Sequence, residues 1–329
     1  MPLNSRQTPR FGQTPAVGRK AGTVRVIGYR HQRTLAGPTD IEGVGFITGV
    51  RVRVRLYPAT VNTGLVFCRT DDPTASKIPA RTSFVTDTQR RTTLGSPPHG
   101  VTLVEHLLAT LAGLRVDNCT IEINGPEPPG LDGSANGYVA AIVAAGVVEQ
   151  PGRRPIWAVS APIAVSAGGA TISLHPATES TNLRMSYLLD YGMIGPIPRQ
   201  SWTLDVRPDE FAREVAGCRT FVTHLEADAL RAQGVGKHLT PADLLVFGSR
   251  GVIDNRLRFA NEPARHKILD LIGDLALCGF DLAGHVVAYR SGHALNVELA
   301  RRLTALAESS SLKPANFRFP TRTAIARAA

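Results

Sequence analysis

The chain has 329 residues, 43% of them hydrophobic and 19% charged, the balance of a soluble globular protein with room for a large core and two domains. Its formal charge of +10 rests on arginine, with only five lysines, so phosphates, acidic lipids or nucleic acid would be drawn to it, although a compositional bias toward arginine gives the same charge. No apolar run is long enough to span a bilayer, and Cys68, Cys119, Cys218 and Cys278 are too scattered for a disulfide framework or a cysteine metal site, which fits a reduced, cytoplasmic chain.

Residues 1–23 are polar, carry Pro, Gly and Arg, and lack the apolar centre of a secretory signal; they read as a basic disordered arm. A first α+β domain is expected over 24–150. Its run 50–56 (Val-Arg-Val-Arg-Val-Arg-Leu) alternates with period two and predicts a half-exposed strand, followed by a second strand at 63–68. The stretch 83–100 is polar and irregular. A helix is predicted over 104–114, a strand over 119–123, a turn at Asn124-Gly125-Pro126, and an Ala- and Val-rich helix over 135–148.

Residues 150–155, with two Pro, one Gly and two Arg, are the best linker candidate. A second α+β domain is expected over 151–309, with strands between 156 and 189, helices at 208–215 and 264–278, a strand at 284–289 and a helix at 294–307. Strands followed by two helices in each half suggest a duplicated sheet-and-helix-pair plan. The stretch 310–329 reads as a polar basic tail.

The segment 265–274 (Arg-His-Lys-Ile-Leu-Asp-Leu-Ile-Gly-Asp) carries the most chemistry. Its apolar residues bury a helix, yet His266 and Asp270 stand one turn apart on one face. Such a pair is costly to bury unless it binds something or bonds to itself. A divalent metal suits imidazole nitrogen and carboxylate oxygen; a buried His–Asp hydrogen bond is the structural alternative. His106 is a candidate third ligand, and three protein ligands with one open position define a catalytic zinc site, although iron accepts the same donors. Glu105, adjacent in sequence but roughly 100° around the helix, is a candidate general base, or else an acidic residue stabilising the helix N-terminus. His293 lies at a strand-to-helix turn, and Asp274 could orient it and favour its protonated form. Thr220, in Arg219-Thr220-Phe221, offers a hydroxyl to a developing oxyanion; a turn Thr beside a core Phe is the bland reading. Leu131-Asp132-Gly133-Ser134-Ala135 reads as a turn and N-cap before the helix that follows. The absence of zinc-finger spacing and of an RNA-binding aromatic signature argues against a dedicated nucleic-acid binder.

Taken together and in order, Val-Glu-His-Leu-Leu (104–108), Arg-Thr-Phe (219–221), the 265–274 decapeptide and Ser-Gly-His-Ala-Leu-Asn (291–296) resemble the UDP-3-O-acyl-N-acetylglucosamine deacetylases, zinc hydrolases of lipid A synthesis. Supporting strings include Gln32-Arg33-Thr34-Leu35, Gly43-Val44-Gly45 and Asn62-Thr63-Gly64-Leu65-Val66-Phe67, and the likeness covers about 30–305. The resemblance implies two sheet-and-helix-pair domains with the active site between their helix layers, and a βαβ insertion near 222–248 shaping a passage for an acyl chain. It implies one Zn2+ per chain held by His106, His266 and Asp270, with Glu105 as general base. His293, oriented by Asp274, would be the cationic acid, Thr220 an oxyanion donor, and Lys267 and Phe221 substrate contacts. The partner expected is a UDP-linked, acylated N-acetylglucosamine handled by a cytoplasmic monomer in transient contact with a membrane surface. A related zinc amidase for another N-acyl sugar or lipid, and a non-catalytic basic binding protein, are the competing readings. The chain departs from the family pattern at Phe46-Ile47-Thr48, at 237–241 and at Thr223, all on the acyl-passage side.

Overall fold

A computed structural model describes residues 23–178 and 181–310. The expected arm and tail therefore fall outside the described residues, apart from Thr23 and Ser310. Six α-helices occur among the described residues: α1 (Glu105–Gly113), α2 (Asn136–Ala145), α3 (Pro208–Glu214), α4 (His224–Ala232), α5 (Glu262–Ala276) and α6 (His293–Ser309). They accompany several separate β-sheets, so the class is α+β.

One sheet has five strands in the order Thr39–Val44, Arg51–Pro58, Cys119–Ile123, Leu65–Arg69 and Ile78–Pro79. Its alternation is the one the sequence predicts: Val52, Val54 and Leu56 are buried, while Arg51 and Arg53 face solvent. A seven-stranded sheet is built around the parallel pairing of Asp281–Tyr289 with Leu183–Leu189 and, at its other end, with Val147–Val159. A third, small sheet pairs Phe221–Thr223 in parallel with Leu245–Gly248 across α4, the βαβ insertion expected near 222–248.

Two expectations are corrected. Residues 150–155 are not a linker but the middle of the strand Val147–Val159. That strand pairs antiparallel with Val24–Leu35; a register shift at His31/Gln32 absorbs Pro151 and Gly152, while Pro155 stays in register opposite Tyr29. The opening strand thus belongs to the seven-stranded sheet, not to the sheet of the residues that follow it. Long-range pairing outweighed local composition at both places.

The core that positions the site is the contact between α1 and α5. α1 buries Leu107, Leu108 and Leu111, and α5 buries Ile268, Leu269, Leu271 and Ile272. Gly273 sets their closest approach. A Cβ there would lie 2.1 Å from the carbonyl oxygen of Glu105, so the first residue of α1 can rest on α5 only where no side chain intervenes. Gly273→Ala is accordingly expected to push the helices apart, destabilising the protein by about 1–3 kcal/mol. Denaturant titration would read the loss, and an unchanged midpoint would contradict this account.

Candidate metal centre and active site

Three elements converge at the α1–α5 contact. α1 opens with Glu105 and His106, α5 projects His266, Lys267, Asp270 and Asp274, and α6 begins at His293. His106, His266 and Asp270 each offer one ligand atom, and these atoms lie within 4.8 Å of one another. Asp270 Oδ1 is 3.6 Å from His106 Nε2 and 3.4 Å from His266 Nε2. The two imidazole rings meet edge to face, at 4.9 Å and 84°.

Protonation states favour a cation at this point. His266 Nδ1 lies 3.0 Å from the carbonyl oxygen of Cys218, which can only accept. Nδ1 therefore carries the proton, and the Nε2 lone pair faces Asp270. Burial lowers the His266 pKa to about 3, so the ring is neutral. Burial alone would raise the pKa of Asp270, but the Lys267 ammonium brings it well below the ordinary carboxylate value. An ionised carboxylate and a neutral imidazole lone pair turned toward each other repel unless a positive charge lies between them. The donor set, two nitrogens and one oxygen, fits a divalent transition metal with an open coordination position.

Beside this triad is a second polar group of residues. His293 Nδ1 is 2.9 Å from Asp274 Oδ2, the orientation predicted from the sequence. Burial would lower the His293 pKa, but Asp274, Glu105 and Asp270 raise it to about 9, so both ring nitrogens are protonated at neutral pH. Its Nε2 is 3.9 Å from both Glu105 and Asp270. Burial raises the pKa of Glu105 against the opposing pull of His293 and His106. Glu105 Oε2 accepts the backbone N–H of Thr92 at 3.0 Å.

Two residues in this network were not predicted. Thr92 donates its hydroxyl to Asp274 Oδ1 at 2.6 Å as well as its N–H to Glu105, thereby linking the two carboxylates. Asn296 donates to Asp274 Oδ2 at 2.9 Å. Asn296 lies one turn after His293 on α6, a spacing that could have revealed it. Thr92 lies in the polar stretch 83–100, where nothing in the sequence singles it out.

Thr220, Phe221 and Lys267 also lie at the site. The backbone of Thr220 is held between Gly133 and Leu245, and the residue lines the cavity. Phe221 packs against His266 with ring centroids 6.0 Å apart. Lys267 donates to Asp270 Oδ2 at 2.9 Å and lies 5.4 Å from the centre of the Phe221 ring. The N-cap position of α2 is Ala135, the last residue of the predicted turn, without a side-chain cap; Asp132 accepts from Ser134 and forms an ion pair with Arg258.

The Thr220 segment is anchored by a buried ion pair. Arg219 Nε donates to Glu262 Oε1 at 2.8 Å, and both side chains are almost fully enclosed. This joins the chain around Cys218 and Thr220 to the first turn of α5. Arg219→Met would leave Glu262 without its charge partner and is expected to cost about 3–5 kcal/mol, with Glu262→Gln in the same chain recovering part of it. Thermal unfolding of the single and double variants would test this; equal losses in both would remove the pair from its anchoring role.

The cavity in front of these groups has a volume of about 510 Å³. His106, Asp270, Glu105 and His293 line it together with Leu230, Val235 and Leu239 of the insertion region. Phe46 and Leu239, two residues that depart from the family pattern, are part of its wall.

The model of the UDP-3-O-acyl N-acetylglycosamine deacetylase family matches residues 32–305. The chain belongs to this family. Among its relatives, the UDP-3-O-acyl-N-acetylglucosamine deacetylase of Nostoc sp. is 41% identical over 84% of this chain and 99% of its own length. The protein of the same name from Thermosynechococcus vestitus is 43% identical over 83% of this chain and 93% of its own length. That of Myxococcus xanthus is 38% identical over 88% and 91% respectively. As a member of the deacetylase family, the chain has a metal-capable triad whose residues His106 and Asp270 line its cavity, and no helix among its described residues is long and apolar enough to cross a membrane.

Proposed function

We propose that the protein hydrolyses the N-acetyl group of a UDP-linked, 3-O-acylated N-acetylglucosamine, releasing acetate in lipid A biosynthesis. The observation that carries this reading is that a metal-capable triad, a buried carboxylate and a protonated histidine line one cavity together with Leu230, Val235 and Leu239, which we take as its apolar end. A Zn2+ ion held by His106, His266 and Asp270 would supply the Lewis acidity that acidifies water and polarises the acetamide carbonyl.

The chain's own residues do the rest. Glu105 accepts the proton of the attacking water, and its raised pKa makes it a stronger base than an exposed carboxylate. His293, held cationic by Asp274, stabilises the developing oxyanion through Nε2–H and is positioned to protonate the leaving amine. Thr220 lines the same wall and presents a hydroxyl for that oxyanion. Lys267, bonded to Asp270 at the cavity wall, has further N–H donors for substrate oxygens. Arg90, Arg91 and Arg231 border the cavity and suit a diphosphate, while the apolar end suits the acyl chain.

The test is acetate release from the UDP-linked 3-O-acyl substrate, compared with UDP-N-acetylglucosamine lacking the acyl chain. The acylated substrate is expected to have the higher kcat/KM because it alone fills the apolar end. Folded, metal-loaded protein that released no acetate from it would overturn the proposal.

A further inference from the structure

A second cavity, of about 280 Å³, lies at the opposite ends of the same two helices. Its wall includes Ala112 and Gly113 at the end of α1 and Leu275 and Ala276 at the end of α5. Six residues along α1 separate Ala112 from His106, roughly 9 Å of helix. Nothing in the proposed chemistry uses this cavity.

Four guanidinium groups and two carboxylates line it: Arg30, Arg81, Arg115 and Arg154 with Asp117 and Asp281. Arg30 is saturated, its N–H groups making five hydrogen bonds, to His31, Asp117 and Asp281. Arg154 pairs with Asp281 at 2.6 Å and with Asp117 at 3.1 Å. The two carboxylates are therefore committed. Arg81 has no ion pair among the described residues and only one side-chain hydrogen bond, to the carbonyl oxygen of Cys278 at 3.1 Å. Arg115, half-buried, has neither an ion pair nor a side-chain hydrogen bond among the described residues.

Arg81 is exposed and Arg115 half-buried, and each has another guanidinium group nearby, Arg154 beside Arg81 and Arg30 beside Arg115. Burial and Arg154 lower the pKa of Arg81, and burial with Arg30 lowers that of Arg115. Arg81 reaches its place because residue 279 is glycine: a Cβ there would fall 1.0 Å from Arg81 Nη1. Between these cations the wall is apolar, with partly exposed Leu65, Leu183, Val206 and Phe280.

We propose that this cavity is a second ligand site, for an amphiphilic anion whose phosphate or carboxylate head is held by Arg81 and Arg115 and whose short apolar body lies against Leu183, Val206 and Phe280. An anion offsets the excess of two positive charges, and its oxygens accept N–H donors that no protein group takes up. The volume limits the body to a short chain or a single ring.

Hydrogen–deuterium exchange on the full-length, metal-loaded protein tests this locally, so that binding at the catalytic cavity is read separately. Hexyl phosphate, hexanoate and inorganic phosphate are the probes. Hexyl phosphate or hexanoate is expected to protect 112–116 and 278–282, and the stronger of the two identifies the head group. The double variant Arg81→Met, Arg115→Met is expected to weaken that protection by about tenfold or more while deacetylation stays near normal. Arg115→Gln alone, which removes no internal bond, should weaken it in the same direction if the double variant does not fold. Absence of protection at millimolar probe, or protection undiminished in the variants, would overturn the site. Equal protection by inorganic phosphate would overturn the amphiphilic ligand.

Discussion

Replacing Glu105 by glutamine is expected to leave the protein folded and metal-loaded while lowering kcat by roughly two to four orders of magnitude. Glutamine keeps the shape of the side chain, and its carbonyl oxygen can still accept the backbone N–H of Thr92, which Glu105 accepts at 3.0 Å. What disappears is the buried carboxylate whose burial raises its affinity for a proton. His293 also loses one of the carboxylates that keep it protonated, so part of the deficit passes through the acid. Steady-state turnover together with metal content separates these effects from metal loss. A variant that retains near-normal kcat would show that another group takes the proton.

Stripping the metal should abolish turnover and lower the Tm, both being restored by added Zn2+. The triad explains the stability change as well as the chemistry. The Asp270 carboxylate and the Nε2 of His266 face each other at 3.4 Å, and the Nε2 of His106 is 3.6 Å from the same oxygen. A cation that binds only the folded chain stabilises it by about 4 kcal/mol at a free concentration a thousand times its Kd. His266→Ala should bind far less metal and show little response of Tm to added Zn2+. If stripped protein kept full activity, or if His266→Ala bound metal as the parent does, the triad would not be the metal site.

Much of the molecule was legible from local sequence. The strand Cys119–Ile123 lies where its pattern placed it; the helix predicted at 104–114 differs from α1 by one residue at either end, and that at 208–215 differs from α3 by one residue at its C-terminal end. These segments carry their own periodicity and stop signals, so little outside information is needed to place them. The linker expected at 150–155 failed for the opposite reason. Proline and glycine describe local backbone preference, whereas the strand there is held by pairing with residues more than a hundred positions earlier.

The site divides along the same line. His266, Asp270 and Asp274 lie on one helix, so helical spacing alone brought them to one region, and the ordered motifs pointed to His106 and His293. Sequence spacing could not reveal that Asp270 faces both histidines, that Thr92 joins Glu105 to Asp274, or that the Cys218 carbonyl selects the tautomer of His266. Those relations depend on how closely α1 approaches α5, and Gly273 permits that approach. By itself, then, the sequence determined which candidate residues share a helix and a face, because helical geometry is local. Only the tertiary structure decided their distances, charges and proton positions, because these arise from burial and contacts between segments far apart in the chain.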